Sequence, residues 1–160
     1  MNIFIPDPDP CLSAVQLADK HVVKMVTETA QILCTALAER GATIEGLYRP
    51  THRKHPCVVW AGATRADFDW AVAHGLALAT EYTHRYGRTH GSMSMIERAR
   101  TYRHLIPEGP LRSFALAMDA DLQDNLDPHG SYRRYLCRKY TAWGVGGAKW
   151  TRRDPPVWYR

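Results

Sequence analysis

The feature that most constrains the fold is a helical repeat of apolar residues from about Ala14 to Arg40, which ends at Gly41. Residues three and four positions apart lie on one face of an α-helix, so this repeat predicts one long helix with a buried stripe. Ser13 is the predicted N-cap, and the glycine allows the left-handed conformation that ends many helices. A chain built around such a helix is expected to be mainly helical.

Further helical patterns follow, and no alternating strand pattern is present outside Asn2 to Ile5. The predicted helices are Cys57 to Ala63, Thr64 to Tyr86, Met93 to His104, Leu111 to Met118, and Pro128 to about Trp143. We therefore predict an all-α fold, a compact irregular helical single domain of about five helices that comprises residues 1–160. A basic, aromatic C-terminal tail, about residues 144–160, follows the last helix.

Composition indicates a protein that does not enter membranes. No apolar run approaches the roughly 20 residues that span a bilayer. The N-terminal residues lack the basic region and the long apolar region of a secretory signal. We therefore expect a cytoplasmic protein, in the host cytoplasm if it is phage-encoded, and we expect a monomer.

The cysteine pattern predicts neither a metal site nor a redox motif. The four cysteines are Cys11, Cys34, Cys57 and Cys137, and none of their spacings matches a zinc ribbon. They are predicted to be free, buried thiols. His52, His55 and Cys57 would supply three zinc ligands, but no fourth ligand is evident. We predict no metal and no cofactor.

Positive charge is concentrated at the C-terminal end of the chain. The formal net charge is +5, yet residues 132–160 contain eight Lys and Arg against the single acid Asp154, which gives +7. Residues 1–50 carry four bases and six acids. This asymmetry predicts a polyanionic partner.

Aromatic and basic residues alternate in the same region. Tyr132, Tyr135, Arg138, Lys139 and Trp143 lie on the predicted last helix, and Trp150, Trp158 and Tyr159 follow among arginines. Rings stack on exposed bases while cations hold phosphates, so the pattern is typical of nucleic-acid binding. The alternative is that the rings are core and the bases are only solvated. The residues predicted to contact nucleic acid are Lys20, Gln31, His52, His55, Arg85, His90, Arg133, Lys139, Trp143 and Lys149.

Ionisable residues interrupt the apolar stripe of the first helix. Leu17, His21, Lys24, Glu28 and Gln31 fall near one line along it, so an amine, an imidazole and a carboxylate converge. Burying such groups without partners costs several kcal/mol. An amine beside a carboxylate can attack an electrophilic sugar carbon while the carboxylate moves protons. The alternative is a solvated ion-pair face.

The segment Leu17-Ala-Asp-x-His21, followed by six residues and then Glu28, resembles the first helix of the bacteriophage pyrimidine-dimer DNA glycosylases of the endonuclease V type. The resemblance implies an all-α enzyme that flips a base out of kinked double-stranded DNA. It further implies attack on the sugar C1′ by the N-terminal amine and a catalytic role for Glu28, with His21 beside it to orient the carboxylate. The opening Met-Asn-Ile-Phe also resembles the start of other phage proteins.

One position departs from that family's pattern. The family exposes its nucleophile by removing the initiator methionine, but the bulk of Asn2 disfavours that removal. The nucleophile is then the amine of Met1, or Lys24, which stands one turn from Glu28. A third alternative is glycosylase action through activated water, without lyase activity.

Three functions follow from these observations. The first is a DNA glycosylase, with or without AP-lyase activity, that acts on a damaged or modified pyrimidine in duplex DNA. The second is a phage nucleotide- or base-modifying enzyme that binds a small phosphorylated substrate with the same cluster. The third is a non-catalytic nucleic-acid-binding protein whose first-helix cluster is only an ion-pair network.

Overall fold

The computed structural model describes residues 1–42 and 45–159. These residues form six α-helices and no strand: α1 (Pro10–Val15), α2 (Asp19–Glu39), α3 (Pro56–Ala61), α4 (Arg65–Tyr86), α5 (Met93–Thr101) and α6 (Pro128–Ala142). Short 3₁₀ turns occur at Arg103–Leu105, Ala120–Leu122 and Val157–Tyr159. The all-α prediction is confirmed. Arg160, counted above among the basic residues of the tail, lies outside the described residues.

The prediction of one helix from Ala14 to Arg40 is wrong, because the chain breaks between α1 and α2. Asp9, not Ser13, caps α1: its carboxylate accepts hydrogen bonds from the backbone of Cys11 at 2.7 Å and Leu12 at 2.9 Å. Ser13 is buried inside α1. The carbonyls freed at the break are bound by distant side chains: Val15 and Leu17 by Arg85, and Gln16 by Trp150.

The helix α4 matches its sequence prediction at both ends. The Thr64 hydroxyl caps it by accepting a hydrogen bond from the backbone of Asp67, and Gly87 ends it with a φ of 69°. Pro56 lies in the first turn of α3, as predicted. The third predicted helix is shorter, because α5 ends at Thr101 and a 3₁₀ turn follows.

The predicted helix from Leu111 to Met118 is wrong, since this segment has no regular structure. Side chains of other elements bind its backbone. The Asp67 carboxylate accepts the Arg112 backbone N–H at 2.8 Å, and the Tyr132 hydroxyl donates to the Ala115 carbonyl at 2.7 Å. These contacts pair backbone groups of the segment with distant side chains in place of helical hydrogen bonds.

The core is formed where α2 packs against α4, with α1 and α5 beside them. The N-terminal residues Ile3, Phe4 and Ile5 lie outside any helix and are buried. They are held against α6, where His129 hydrogen-bonds the Ile5 carbonyl and Arg133 donates to the Pro6 carbonyl at 2.7 Å. This path brings the beginning of the chain to the middle of α2.

The cysteines differ in burial. All four are free, as predicted, but only Cys34 and Cys57 are buried, whereas Cys11 is exposed and Cys137 is half-buried. The prediction of burial is therefore wrong for the last two. Across residues 1–42 and 45–159, no group of three His, Cys, Asp or Glu residues is placed to hold a metal ion. No helix in that same part of the chain combines the length and apolarity needed to cross a membrane.

Candidate active site

A cleft of about 290 Å³ lies between α2, the N-terminal segment and α6. Its lining residues are Met1, Asn2, Phe4, His21, Lys24, Met25, Glu28, Ala117, Tyr135 and Lys139. Two turns of α2 separate His21 from Glu28 and keep both on the cleft side. The structure thus brings together all four residues predicted from the sequence as catalytic: Glu28, His21, Lys24 and Met1.

Glu28 is the anionic centre of this cleft, and it is only 8% exposed. One carboxylate oxygen, Oε2, accepts the backbone N–H of Asn2 at 2.7 Å and lies 3.7 Å from the α-amine of Met1. The other, Oε1, lies 3.0 Å from the Nζ of Lys24. A carboxylate held this way compensates its burial with charged and hydrogen-bonding partners, and two primary amines lie beside it.

His21 lines the cleft but does not orient Glu28. Its Nδ1 lies 3.0 Å from the hydroxyl of Tyr140, and no hydrogen bond joins it to Glu28 in the described structure. Burial, followed by the positive charges of Lys139 and Lys24, lowers the pKa of His21 to about 3. The imidazole is therefore neutral near pH 7, and the groups that contact the Glu28 carboxylate are the Asn2 N–H and the amines of Lys24 and Met1.

Asn2 anchors the chain end, a role that the sequence analysis missed. Its side-chain amide donates to the Ala117 carbonyl at 2.7 Å, and its Oδ1 accepts the Ile3 N–H at 2.8 Å. Cys57 and Tyr132 approach the same oxygen at 3.4 and 3.3 Å. The one available signal was a polar residue that begins an otherwise apolar segment. This anchoring fixes the backbone that points at Glu28.

A cationic and aromatic surface borders the cleft along α6. The Nζ of Lys20 lies 4.6 Å from the ring centre of Trp143, and that of Lys139 lies 5.6 Å from the ring centre of Tyr135. Both rings are half-buried. Tyr132 and Trp150 are buried instead, so the alternative that they belong to the core holds for these two.

A second cationic surface is the loop of residues 50–55, which forms a shallow depression of about 520 Å³. His52 is exposed there, and the Nδ1 of His55 accepts the Cys57 N–H at 3.2 Å, which caps α3. Burial and the nearby N-terminal ammonium group and His52 lower the pKa of His55, against the opposing effect of Glu28. His55 is therefore within electrostatic range of the cleft.

Other residues predicted to bind nucleic acid have structural partners. Arg85 is only 2% exposed and donates to Glu81, Asp19 and two backbone carbonyls, so the prediction that it holds a phosphate is wrong. His90 uses both ring nitrogens, one toward the Val23 carbonyl and one toward the Ser92 N–H. These contacts leave neither side chain free to bind a phosphate.

The last three residues predicted to contact nucleic acid are not among those that line the cleft. Arg133 donates to the Pro6 carbonyl and pairs with Asp7 at 3.9 Å. Gln31 is half-buried one turn beyond Glu28, and it is not among the residues that line the cleft. Lys149 is exposed on the C-terminal tail.

Comparison with known proteins identifies the N-terminal part of the chain. A family model described as pyrimidine dimer DNA glycosylase matches residues 1–94. This part of the chain comprises the N-terminal segment, the helices α1 to α4 and the first two residues of α5. No curated protein and no solved structure gave a significant match. The matched residues are more than half of the 160 in the chain and include Met1, His21, Lys24 and Glu28. The chain therefore belongs to the pyrimidine dimer DNA glycosylase family.

Proposed function

We propose that this protein is a DNA glycosylase with AP-lyase activity that acts on a damaged or modified pyrimidine in duplex DNA. The observation that carries the proposal is the buried carboxylate of Glu28 with the Met1 and Lys24 amines at 3.7 and 3.0 Å. Family membership supports DNA glycosylase chemistry, and the amines supply the nucleophile that lyase chemistry needs.

In the proposed reaction a neutral amine attacks C1′ of the target nucleotide. The C1′–N bond breaks, and the base leaves with the bonding electron pair and takes a proton from solvent. Glu28 removes one proton from the new ammonium group and passes it to O4′ as the C1′–O4′ bond opens, which leaves a protonated imine between the amine and C1′. The distance of 3.7 Å between the Met1 amine and the Glu28 carboxylate supports the first of these transfers.

Of the two amines, we propose that of Met1 as the nucleophile. The Met1 side chain is only 3% exposed, and the Asn2 side chain anchors the adjoining backbone. The Lys24 side chain is 69% exposed and must lose considerable freedom to act. Lys24 then serves to neutralise Glu28 until substrate binds.

The duplex is proposed to lie across the cleft, with phosphates held on both sides. Lys20 and Lys139 form one cationic edge, with Tyr135 and Trp143 beside them as stacking rings. The loop that contains His52 and His55 forms the other edge. The lysine side chains supply charge, so the affinity should fall steeply with salt.

Borohydride trapping tests this proposal. The purified protein is incubated with duplexes that carry an abasic site, a thymine dimer or a modified pyrimidine, and the imine is reduced to a stable adduct. Glu28→Gln is run beside Glu39→Gln, a matched control on the exposed end of α2. With the parent protein and the control we expect an adduct, together with release of the base from the duplex that carries a modified pyrimidine, and with Glu28→Gln we expect neither.

Mass spectrometry of the adduct then identifies the amine. Attachment to Met1 supports the proposed nucleophile, whereas attachment to Lys24 reassigns it. Base release without an adduct would show glycosylase action through water and contradict the lyase part. Turnover of mononucleotides without duplex affinity, or duplex binding without turnover on any substrate, would overturn the proposal in favour of a nucleotide-modifying enzyme or a binding protein.

A further inference from the structure

The hydroxyl of Tyr140 joins α6 to the beginning of α2. It accepts a hydrogen bond from the backbone N–H of Ala18 at 3.1 Å and lies 3.0 Å from Nδ1 of His21. Tyr140 itself is completely buried. The Ala18 N–H and the His21 ring, both at the beginning of α2, therefore contact the same oxygen atom. That oxygen belongs to Tyr140, which lies outside the part of the chain that the family model matches.

The protons in this contact can be assigned from the partners. The Ala18 N–H uses one lone pair of the Tyr140 oxygen, so the hydroxyl proton still needs an acceptor. In the described structure that acceptor is Nδ1 of His21, because a buried hydroxyl without an acceptor is costly. An Nδ1 that accepts this proton carries none itself, and a neutral imidazole then has its proton on Nε2.

The surroundings keep the imidazole both neutral and fixed. Phe4 and Trp143 pack on it with ring centres 4.6 and 5.0 Å away, and the residue is 3% exposed. Burial together with the charges of Lys139 and Lys24 lowers its pKa to about 3. Because Nδ1 contacts Tyr140, the Nε2–H is the remaining polar group of the His21 ring. His21 lines the cleft, so this N–H is the group that it can offer to a ligand there.

We propose that Tyr140 is a positioning residue that fixes the tautomer of His21, so that a neutral Nε2–H donates a hydrogen bond to an oxygen of the nucleotide bound beside Glu28. This inference rests on the proposed glycosylase function. The acceptor is an oxygen of the sugar or of the base, both of which gain negative charge as the C1′ bonds break. A neutral donor suits this place, because a cationic imidazole would oppose the positive charge that develops on the attacking amine.

The tyrosine ring is held independently of its hydroxyl. Trp150 and Tyr159 pack on it edge to face, with ring centres 5.5 and 5.4 Å away. A Tyr140→Phe substitution therefore keeps the aromatic packing and removes the hydroxyl alone. Tyr159→Phe is the matched control, because it removes a hydroxyl from the same aromatic cluster without touching the contact to His21.

The test combines nitrogen NMR of the histidines with kinetics. The chain has eight histidines, so the His21 signal is assigned by its loss in His21→Gln. We expect the Nε2–H tautomer in the parent protein and in Tyr159→Phe, and a tautomer mixture in Tyr140→Phe. On abasic duplex DNA we expect kcat of Tyr140→Phe to fall about tenfold, with KM changed less than about twofold.

The two readouts separate this inference from the proposed function. A proton on Nδ1 in the parent protein, or an unchanged tautomer in Tyr140→Phe, overturns the inference whether or not the protein is active. A Tyr140→Phe variant that keeps the kcat of Tyr159→Phe overturns it while leaving the glycosylase proposal intact. A parent protein inactive on every duplex contradicts the proposed function, and the NMR result still decides the role of Tyr140.

Discussion

Two carboxylate–cation pairs with the same spacing have opposite environments in this protein. Lys24 and Glu28 are four residues apart on α2, and Glu81 and Arg85 are four apart on α4. The Lys24 side chain is 69% exposed at the mouth of a cleft, whereas the side chains of Glu81 and Arg85 are 3% and 0% exposed. Helical spacing therefore predicts that a pair forms, and only tertiary structure decides whether it remains open to a ligand.

Glu81 and Arg85, called here the closed pair, belong to a network of ion pairs and hydrogen bonds that attaches the C-terminal tail to the helices. Arg153 donates to both carboxylate oxygens of Glu81, at 3.0 and 2.8 Å. Asp19 accepts from Arg85 at 2.9 Å and from the backbone and hydroxyl of Thr151 at 2.9 and 2.8 Å. Every charge in this network has an opposite charge inside the protein. Lys24 and Glu28, the open pair, instead line the cleft, which a substrate can enter.

The largest expected effect comes from replacing each of the two carboxylates, Glu28 and Glu81, by an amide. Glu28→Gln removes the group proposed to move protons, so kcat should fall by about 10²- to 10⁴-fold. Its stability should change little, because the amide oxygen can still accept the Asn2 N–H. Glu81→Gln should do the reverse, with a lower unfolding temperature and nearly unchanged kcat at 20 °C. Kinetics and thermal unfolding of both variants check the comparison, and a catalytic loss in Glu81→Gln equal to that in Glu28→Gln would break it.

The next effect concerns stability and comes from Arg85. Arg85→Met leaves Glu81 and Asp19 without their buried cation, and removing one partner of such a network costs about 3–5 kcal/mol. Urea unfolding measures this. Arg53→Met is the matched control, because Arg53 pairs with Glu39 at the surface, where such pairs contribute about 0–1 kcal/mol. Equal losses in the two variants would show that the closed network is not the stabilising one.

Local signals predicted most of the helices, and distant contacts explain the errors. Helix α4 was predicted in full because Thr64 and Gly87 mark its ends by short-range chemistry. The break between α1 and α2 carries no glycine or proline. It is stabilised by Arg85 and Trp150, which lie far along the chain. Hydrophobic periodicity cannot report contacts of that kind.

In the candidate site, too, local sequence predicted some of the contacts, and those between distant residues could not be predicted. Spacing on one helix and a resemblance placed Glu28 and Lys24 together, since both depend on local sequence. The link between His21 and Tyr140 joins residues 119 positions apart, and no local pattern indicates it. Arg85 was predicted to face a ligand because its basic character is visible in the sequence, whereas its buried partners are not.

The pH dependence of the free energy of unfolding distinguishes the contribution of the buried histidines from that of the network around Glu81 and Arg85. Burial lowers the pKa of His74 to about 4, as it lowers that of His21 to about 3, while unfolded histidine titrates near 6.5. The unfolded chain thus binds more protons below pH 6.5, and stability is lost as the pH falls from 6.5 toward 4. Each histidine should add a slope of about 1.4 kcal/mol per pH unit.

Glu81 should contribute to that slope only as the pH approaches 4.5, the ordinary pKa of its side chain, where the unfolded carboxylate begins to bind a proton. Its burial alone would raise its pKa, but the hydrogen bonds and charges of Arg153 and Arg85 outweigh burial and lower it, so it stays ionised in this range. Urea unfolding at several pH values checks this, with His74→Gln expected to remove the contribution of His74 and leave those of His21 and His55. A flat stability between pH 6.5 and 4.5 would contradict the neutral burial of both rings.

The smallest expected effect is on DNA affinity, and it tests whether the open pair lies within a binding surface. Lys139→Ala should lower the slope of log affinity against log salt by about 1, because one phosphate contact is lost. Arg138→Ala is the matched control on the same helix, since Arg138 is already paired with Asp121 at 2.6 Å. Fluorescence anisotropy with one abasic duplex at several salt concentrations measures both slopes. If Arg138→Ala lowers the slope as much as Lys139→Ala does, internal pairing does not decide which cations bind DNA, and the contrast between open and closed charges fails at this surface.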